Sequence, residues 1–446
     1  MLSPYRGILA LPGARAFTAW GLVARMQMGL TGLSTFLLVQ IEYGRYEYGG
    51  IVLAAIALSF AAISPQVGRL TDAYGQSRVL RVGFAVAIVG RVAMIAAALT
   101  HQPLWVLLLL TPLFAAGGTQ STHTRARWTH IVPDKDALNT AFSLESSLEE
   151  VLFIVGPALA TILATQVASW VPSVLAVTTL AIGGYAFLAL TATEPPARRD
   201  DARRRQAAHD HGRALVIDGT LERVGLPPRP RGLRRYRGAL RGHLLVTTPA
   251  LVITTAIFAT QGAMFASVDA ATVAFAEELG HKEKAGLVLA VWAVGSLVGG
   301  LAYGSRVWSL TLASRMLWGV TITGVGAVSF MFAPGLVALG TLMFLTGLAI
   351  APTMAVGDGV THALVPRSRL TEGMTWTRTG MDLGVAAGAW TVGAVIDRVG
   401  AEGGFLVTGA AGALGVVIAL ASWRYLRSRR AYEEQVSRDA ALPVPA

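Results

Sequence analysis

The stretch GRLTDAYGQSRVL, Gly68 to Leu80, is polar, turn-rich and basic. It lies between two long apolar runs, IVLAAIALSFAAIS before it and VGFAVAIVGRVAMIAAA after it. Runs of this kind approach the roughly 20 residues a helix needs to cross a bilayer. A short charged connection between them therefore reads as a reversal at a membrane surface. Gly68 and Gly75 permit a tight turn and close helix approach. Asp72 is suited to cap a helix or accept from an arginine. Arg69, Arg78 and Arg81 hold the turn on the cytoplasmic side.

The rest of the chain agrees with that reading. Of 446 residues, 53% are hydrophobic and 14% charged, with a mean hydropathy of +0.55; soluble domains carry about a quarter charged residues. The 49 glycines suit helices packed closely in a membrane. The absence of cysteine excludes disulfides, thiolate metal sites and cysteine catalysis. A net charge of +11 would suggest nucleic acid in a soluble protein. Here the basic residues lie mostly between apolar runs, so topology and anionic lipid account for them, and no nucleic-acid partner is expected. MLSPYRGILALPGARAFT lacks the pattern of a cleavable signal peptide.

About twelve runs are long enough to span. The first six are Ala16–Ile41, Glu47–Val67, Val79–Leu99, Pro103–His123, Leu138–Ala164 and Trp170–Thr193. The second six are Leu244–Phe275, Ala285–Gly304, Thr311–Phe332, Gly335–Gly359, Gly373–Ile396 and Gly403–Tyr425. The expected fold is an all-α membrane protein in two six-helix halves. Residues 1–193 form the first bundle, 194–243 a basic cytoplasmic linker, 244–426 the second bundle and 427–446 a cytoplasmic tail. One side carries Arg6, Arg15, the Arg69 group, Arg125, Arg127, Arg306, Arg315, Arg367, Arg369 and the arginines of the tail; the other has little beyond Arg45, Lys282, Lys284 and Arg398. Both termini are expected in the cytoplasm and the chain in the inner (plasma) membrane. The linker pieces EPPARRDDARRRQAAHDHGR and GLPPRPRGLRRYRGALRG cannot span, and part is suited to lie on anionic headgroups. The triplet His209-Asp210-His211 has metal-ligand residue types, but it stands in a linker, and no metal or cofactor is expected.

An internal repeat supports the six-plus-six division. WTHIVPDKDALNTAFSLESSLEEVLFIVGPAL follows span four, and VTHALVPRSRLTEGMTWTRTGMDLGVAAGAW follows span ten. Each has Thr-His, Val-Pro, a charged turn and a helix with a carboxylate followed by glycine. With one gap, Glu150 falls opposite Asp382 and Gly156 opposite Gly388.

The positions Gly68-x-Leu70-x-Asp72-x-x-Gly75 resemble the signature loop of the major facilitator superfamily, G-x-L-x-D-x-x-G-R-[RK]. Gln76 and Ser77 replace its basic pair, with Arg78 following. The resemblance covers the whole chain through the two-times-six layout and implies alternating access, with Asp72 and Arg78 in a cytoplasmic gate. Gly156-Pro157 in FIVGPALATILA looks like the core of the antiporter motif of drug–proton exporters in that superfamily, with Ala160 and Thr161 in place of its further glycines. Pro157 removes a helix hydrogen bond and Gly156 admits a neighbour, so a bend is expected at the interface of the halves. The span-four arginine of those exporters would fall near Leu113 or Phe114, neither basic, and is not carried over.

Charges at membrane depth cost several kcal/mol each and should be paired inside the bundle. Arg25, about 15 Å into span one, and Glu150, about 18 Å into span five, lie at similar depth. A pair or water-linked contact between them, with Glu150 as protonatable switch, is the leading expectation; burial favours the neutral acid and a nearby arginine the charged form. Glu149 is the alternative carrier. Glu145 and Glu149 are one turn apart, and Glu145 is expected to pair with Arg125 or Arg127. Arg378 and Asp382 are also i,i+4 and expected to neutralise each other or to line the cavity. Asp269 and Asp358 are weaker candidates, and Arg91 is read as structural. Gln27, Gln120, His123, Gln261 and Trp376 are the uncharged groups suited to read a substrate. Trp20, Phe36, Trp292 and Trp390 are read as packing or interface residues.

The sequence contains no GxxxxGK[ST] loop, HExxH or GxSxG, so an enzyme is not expected. The expected function is proton-coupled efflux of a small amphipathic molecule by a monomer in contact with membrane lipids, driven by the proton gradient without a cofactor. The alternative is transport of a polar metabolite such as a sugar or organic anion, with Arg25 as anion partner; a transport-dead sensor is a more distant alternative.

Overall fold

The computed structural model describes residues 3–132, 135–197, 249–304, 308–364 and 370–440. The linker reading, apart from 194–197, and with it His209-Asp210-His211, lies outside these residues, as do Arg306, Arg367 and Arg369. Among the described residues, twelve helices are long and apolar enough to cross a membrane. Six precede the linker: Ala14–Tyr43, Tyr46–Tyr74, Gln76–Leu99, Leu104–Ile131, Thr140–Gln166 and Val171–Ala189. Six follow it: Pro249–Glu278, Lys282–Gly304, Leu312–Phe332, Leu336–Thr361, Trp376–Val399 and Ala401–Leu426. These are spans one to twelve. The last helix runs on unbroken to Ala440. The ends of spans two, three and four that carry Arg69, Arg78 and Arg125 define a basic face.

Helices in lipid gain little from apolar burial and associate through close packing of small residues. Span one meets span five where Gly29 and Gly156 pass each other: a Cβ on Gly156 would collide with the Gly29 backbone, and one on Gly29 with the Leu152 carbonyl. Span seven meets span eleven in the same way, with Gly388 against Ala263 and Gly384 against Ala259. Glycines 156 and 388, matched by the repeat, thus occupy equivalent seats against the first helix of their own half.

Three spans are irregular. Span four stops at Phe114, makes a 3-10 turn over Ala115–Gly117, turns at Gly118 with φ 62° and resumes at Gln120. Span ten breaks between Gly347 and Ile350. Span six carries a π turn at Leu180–Gly184. Spans four and ten hold the same place in the two halves, and paired interruptions of this kind point to a binding site. The hydropathy of Pro103–His123 gave no sign of the break, and the helix continues to Ile131 instead of ending at His123.

The turn of Gly68–Leu80 is shorter than its polarity suggests. Span two stays helical through Tyr74 and span three starts at Gln76. Gly75 alone reverses the chain, at φ 92°, a conformation that costs other residues energy.

Candidate functional site

The first element is a chain of charges between spans one, four and five. Arg25 is fully buried and forms an ion pair with Glu145, equally buried. Its Nη1 donates to Glu149 at 3.1 Å and its Nε to the Gly21 carbonyl at 3.1 Å. Glu149 also accepts from Arg125 Nη2 at 3.2 Å, and Glu145 from Trp128 Nε1 at 2.6 Å. Two arginines and two glutamates balance. Exposure rises along the chain, from nothing at Arg25 to 17% at Glu149 and 35% at Arg125, so the cluster is accessible at one end.

This corrects the expected pairings. Arg25 does not take Glu150, and Glu145 does not take Arg125 or Arg127. The reason is helical phase: Glu145 and Glu149 share a face one turn apart, and both address span one. Glu150 lies about 100° further round. It is part-buried, with no ion pair among the described residues.

The second element is in the other half. Arg378 reaches across to Asp358 of span ten at 3.0 Å and is half exposed. Its expected pairing with Asp382 is replaced by this inter-span contact; Asp382 is part-buried, with no ion pair among the described residues. Trp376 lies two residues before Arg378 and is also part-buried. Asp269 sits in span seven, likewise without an ion pair among the described residues.

The uncharged candidates divide. The Gln27 side-chain oxygen accepts from Arg91 Nη2 at 2.7 Å, and Gln120 Nε2 donates to the Gly117 carbonyl at the break in span four. Both are committed to the scaffold. Gln261 donates to Thr323 at 3.1 Å, and its oxygen, like the Nε2 of buried His123 beside the break, has no hydrogen-bond partner among the described residues.

At the basic face the signature positions mark a knot of other residues. The Glu194 carboxylate accepts from the Ser77 backbone N–H at 2.8 Å and from the Ser77 hydroxyl, capping span three. Arg127 donates to Gln76 at 3.1 Å, to the Leu190 carbonyl at 2.7 Å and to Thr193 at 2.9 Å, and lies 3.8 Å over the Phe187 ring. Gln76 and Ser77, which depart from the family pattern, therefore each have a partner. Gly68 is part-buried, and Leu70, Asp72 and Arg78 are exposed. Arg78 has no ion pair among the described residues.

At the opposite face the two sets of six spans are joined. The Asp397 carboxylate of span eleven accepts from the backbone N–H groups of Tyr46 at 2.9 Å and Glu47 at 2.8 Å. Helix N-termini leave such donors unsatisfied and favour anions, and Arg45, at the N-cap of span two, supplies no side-chain cap. The Tyr46 hydroxyl donates to Glu277, and Lys282 donates to Gln40 at 2.7 Å and to Glu277 at 3.0 Å. Beneath these contacts Gly50 packs on the Ala389 carbonyl and Gly393 on that of Tyr46, and Gly286 lies against the Pro157 carbonyl. Gly156-Pro157 thus touches span one on one side and span eight on the other. Sequence reading missed Asp397, Glu277 and Tyr46; the only cue was a few polar residues at helix ends.

Residues 19–334 match the family model described as Major Facilitator Superfamily. No curated protein matches the chain in sequence. Among solved structures, a POT family transporter in complex with a thioalcohol-conjugated peptide is 11% identical, with 93% of this chain and 96% of that one covered and a TM-score of 0.62. A POT family transporter in complex with 5-aminolevulinic acid gives the same values. The nucleoside transporter NupG is 14% identical, over 92% and 98%, with a TM-score of 0.63.

Proposed function

The chain belongs to the Major Facilitator Superfamily, and from that premise we propose that it carries a small polar solute, anionic or zwitterionic, by alternating access. It is a multi-pass secondary transporter of the plasma membrane, not an enzyme. The observation that carries the substrate class is the Arg25–Glu145–Glu149–Arg125 chain, which is buried at one end and accessible at the other. A bilayer charge is retained where it works or is paired. Arg25 and Arg125 can trade a glutamate oxygen for a substrate carboxylate, and the displaced Glu149 can then take up a proton. Arg378 and Asp358 offer a complementary pair in the second half. The polar ligands named for the solved structures of the same fold are in keeping with this reading, although fold likeness assigns no substrate.

The basic face is the cytoplasmic one in this proposal, with both termini there. The contacts of Asp397, Glu277 and Lys282 act as the outer latch in this proposal. The two six-span halves rock about the contacts of spans two with eleven and five with eight, as a monomer driven by the proton gradient. Asp72 and Arg78 act in the inner gate. Gln261, His123, Trp376 and Asp382 are the further polar groups offered to the solute, with Glu150 a secondary proton site. Proton-coupled efflux of an amphipathic molecule, for which Gly156-Pro157 and the buried carboxylates speak, is the second reading. Proteoliposome uptake of labelled amino acids, short peptides, nucleosides and organic acids, set against lipophilic dyes, tests the choice. Flux of a polar solute that Arg125→Gln abolishes supports the first reading; flux of dyes alone refutes it.

A further inference from the structure

Span four resumes after its break as a short inner piece, Gln120–Ile131. Arg125 and Trp128, three residues apart, share one face of that piece. Both reach span five, Arg125 at Glu149 and Trp128 at Glu145. The two glutamates are nevertheless held differently. Glu149 takes both of its donors from arginines, Arg25 Nη1 on one oxygen and Arg125 Nη2 on the other, and is 17% exposed. Glu145 is fully buried; one oxygen pairs with Arg25 and the other accepts from the Trp128 indole at 2.6 Å.

The indole is fixed in place. Trp128 is fully buried in a core cluster with Phe17, Val67, Leu80 and Ala141. Its ring meets that of Phe17, in span one, edge-on with centroids 4.8 Å apart. Its helix is pinned from another side by Arg127, which donates to Gln76, Leu190 and Thr193, and by the His123 carbonyl, which accepts from Gln76 Nε2 at 3.1 Å. None of these contacts involves a carboxylate, so an arriving solute carboxylate has nothing there to replace. A phenyl ring could make the same edge-on contact with Phe17. What the indole adds is one buried N–H, a group that takes a hydrogen-bond partner when buried. Without it one oxygen of Glu145 would stand buried with no donor, a costly arrangement.

We infer that Trp128 is a positioning residue that makes the two glutamates unequal: it keeps Glu145 docked on Arg25 while Glu149 gives up its arginines to solute and takes the proton. The inference deepens the transport reading above and rests on it for the part played by Glu149. The charged groups around Glu145 are Arg25 of span one and Glu149 of span five itself; on span four, Arg125 addresses Glu149 and Arg127 addresses Gln76. With the indole N–H removed, Glu145 is released to take the proton in place of Glu149.

A double variant tests this in proteoliposomes with an internal pH dye. Glu149→Gln should exchange solute without moving protons, and Trp128→Phe combined with Glu149→Gln should regain proton movement, because Glu145 substitutes. A tryptophan that only supports the fold would lower flux and leave it uncoupled. A double variant that exchanges solute and stays as uncoupled as Glu149→Gln alone overturns the inference. Nitrogen–proton correlation spectra of the indole groups, recorded on the full chain in detergent, test the positioning without transport and without Trp128→Phe, should that variant not fold. A spin label at Thr129→Cys, an exposed position in a chain without cysteine, marks the Trp128 resonance by broadening it. That resonance should keep its place in Glu149→Gln, and a shift there overturns the inference. Wild type that moves no protons with any solute refutes the transport reading instead, and the indole resonance then decides the Trp128–Glu145 contact by itself.

Discussion

Replacing Asp397 with alanine should open the outer face. The carboxylate accepts two backbone N–H groups, at 2.9 and 2.8 Å, across the two halves. Hydrogen bonds to a charged group contribute about 1.5–3 kcal/mol each, but Asp397 is exposed and solvent screening reduces the value. A combined loss of about 1–3 kcal/mol remains, a shift of roughly 5- to 150-fold toward the outward-open state. Asp397→Asn keeps one accepting oxygen and should shift less. The chain has no cysteine, so two introduced cysteines can carry spin labels without background. Gln102 and Glu402, both exposed beyond the outer ends of spans three and eleven, are suitable positions. Asp397→Ala should populate a longer distance between them in pulsed dipolar spectra. Gly50→Ala, whose methyl would strike the Ala389 carbonyl, should do the same. An unchanged distance distribution in both folded variants would refute the latch.

Arg25→Gln leaves Glu145 buried without its counter-charge and should cost about 3–5 kcal/mol in thermal or denaturant unfolding; Arg25→Met combined with Glu145→Leu should recover much of the loss. Gly156→Leu should abolish folded protein in detergent extracts, because even a Cβ meets the Gly29 backbone. Glu194→Ala removes the cap on span three and should cost about 1 kcal/mol, read as faster hydrogen exchange at Ser77 and its neighbours. Gln27→Leu strands Arg91 Nη2 and should destabilise by about 1–3 kcal/mol in the same unfolding assays.

The spans were legible because hydropathy over some 20 residues is a strong signal, and the repeat was legible because glycines 156 and 388 fill equivalent seats. Which residues were charged at depth was also plain. Which of them pair was not. Equal depth suggested Arg25 with Glu150, but direction around the helix, which depends on how span five is turned against span one, selects Glu145 and Glu149. The i,i+4 spacing of Arg378 and Asp382 was likewise outweighed by a partner on span ten. The break in span four left no mark because Ala115–Gly118 is apolar and small, and the outer latch left none because a carboxylate capping a distant helix has no local pattern.

The most direct test uses proteoliposomes with an internal pH dye, comparing wild type with Glu149→Gln and a panel of anionic and zwitterionic solutes. Wild type should show solute-dependent proton movement, and Glu149→Gln solute exchange that no longer moves protons. Proton-coupled flux undiminished in Glu149→Gln, or coupled flux of lipophilic dyes alone, would contradict it.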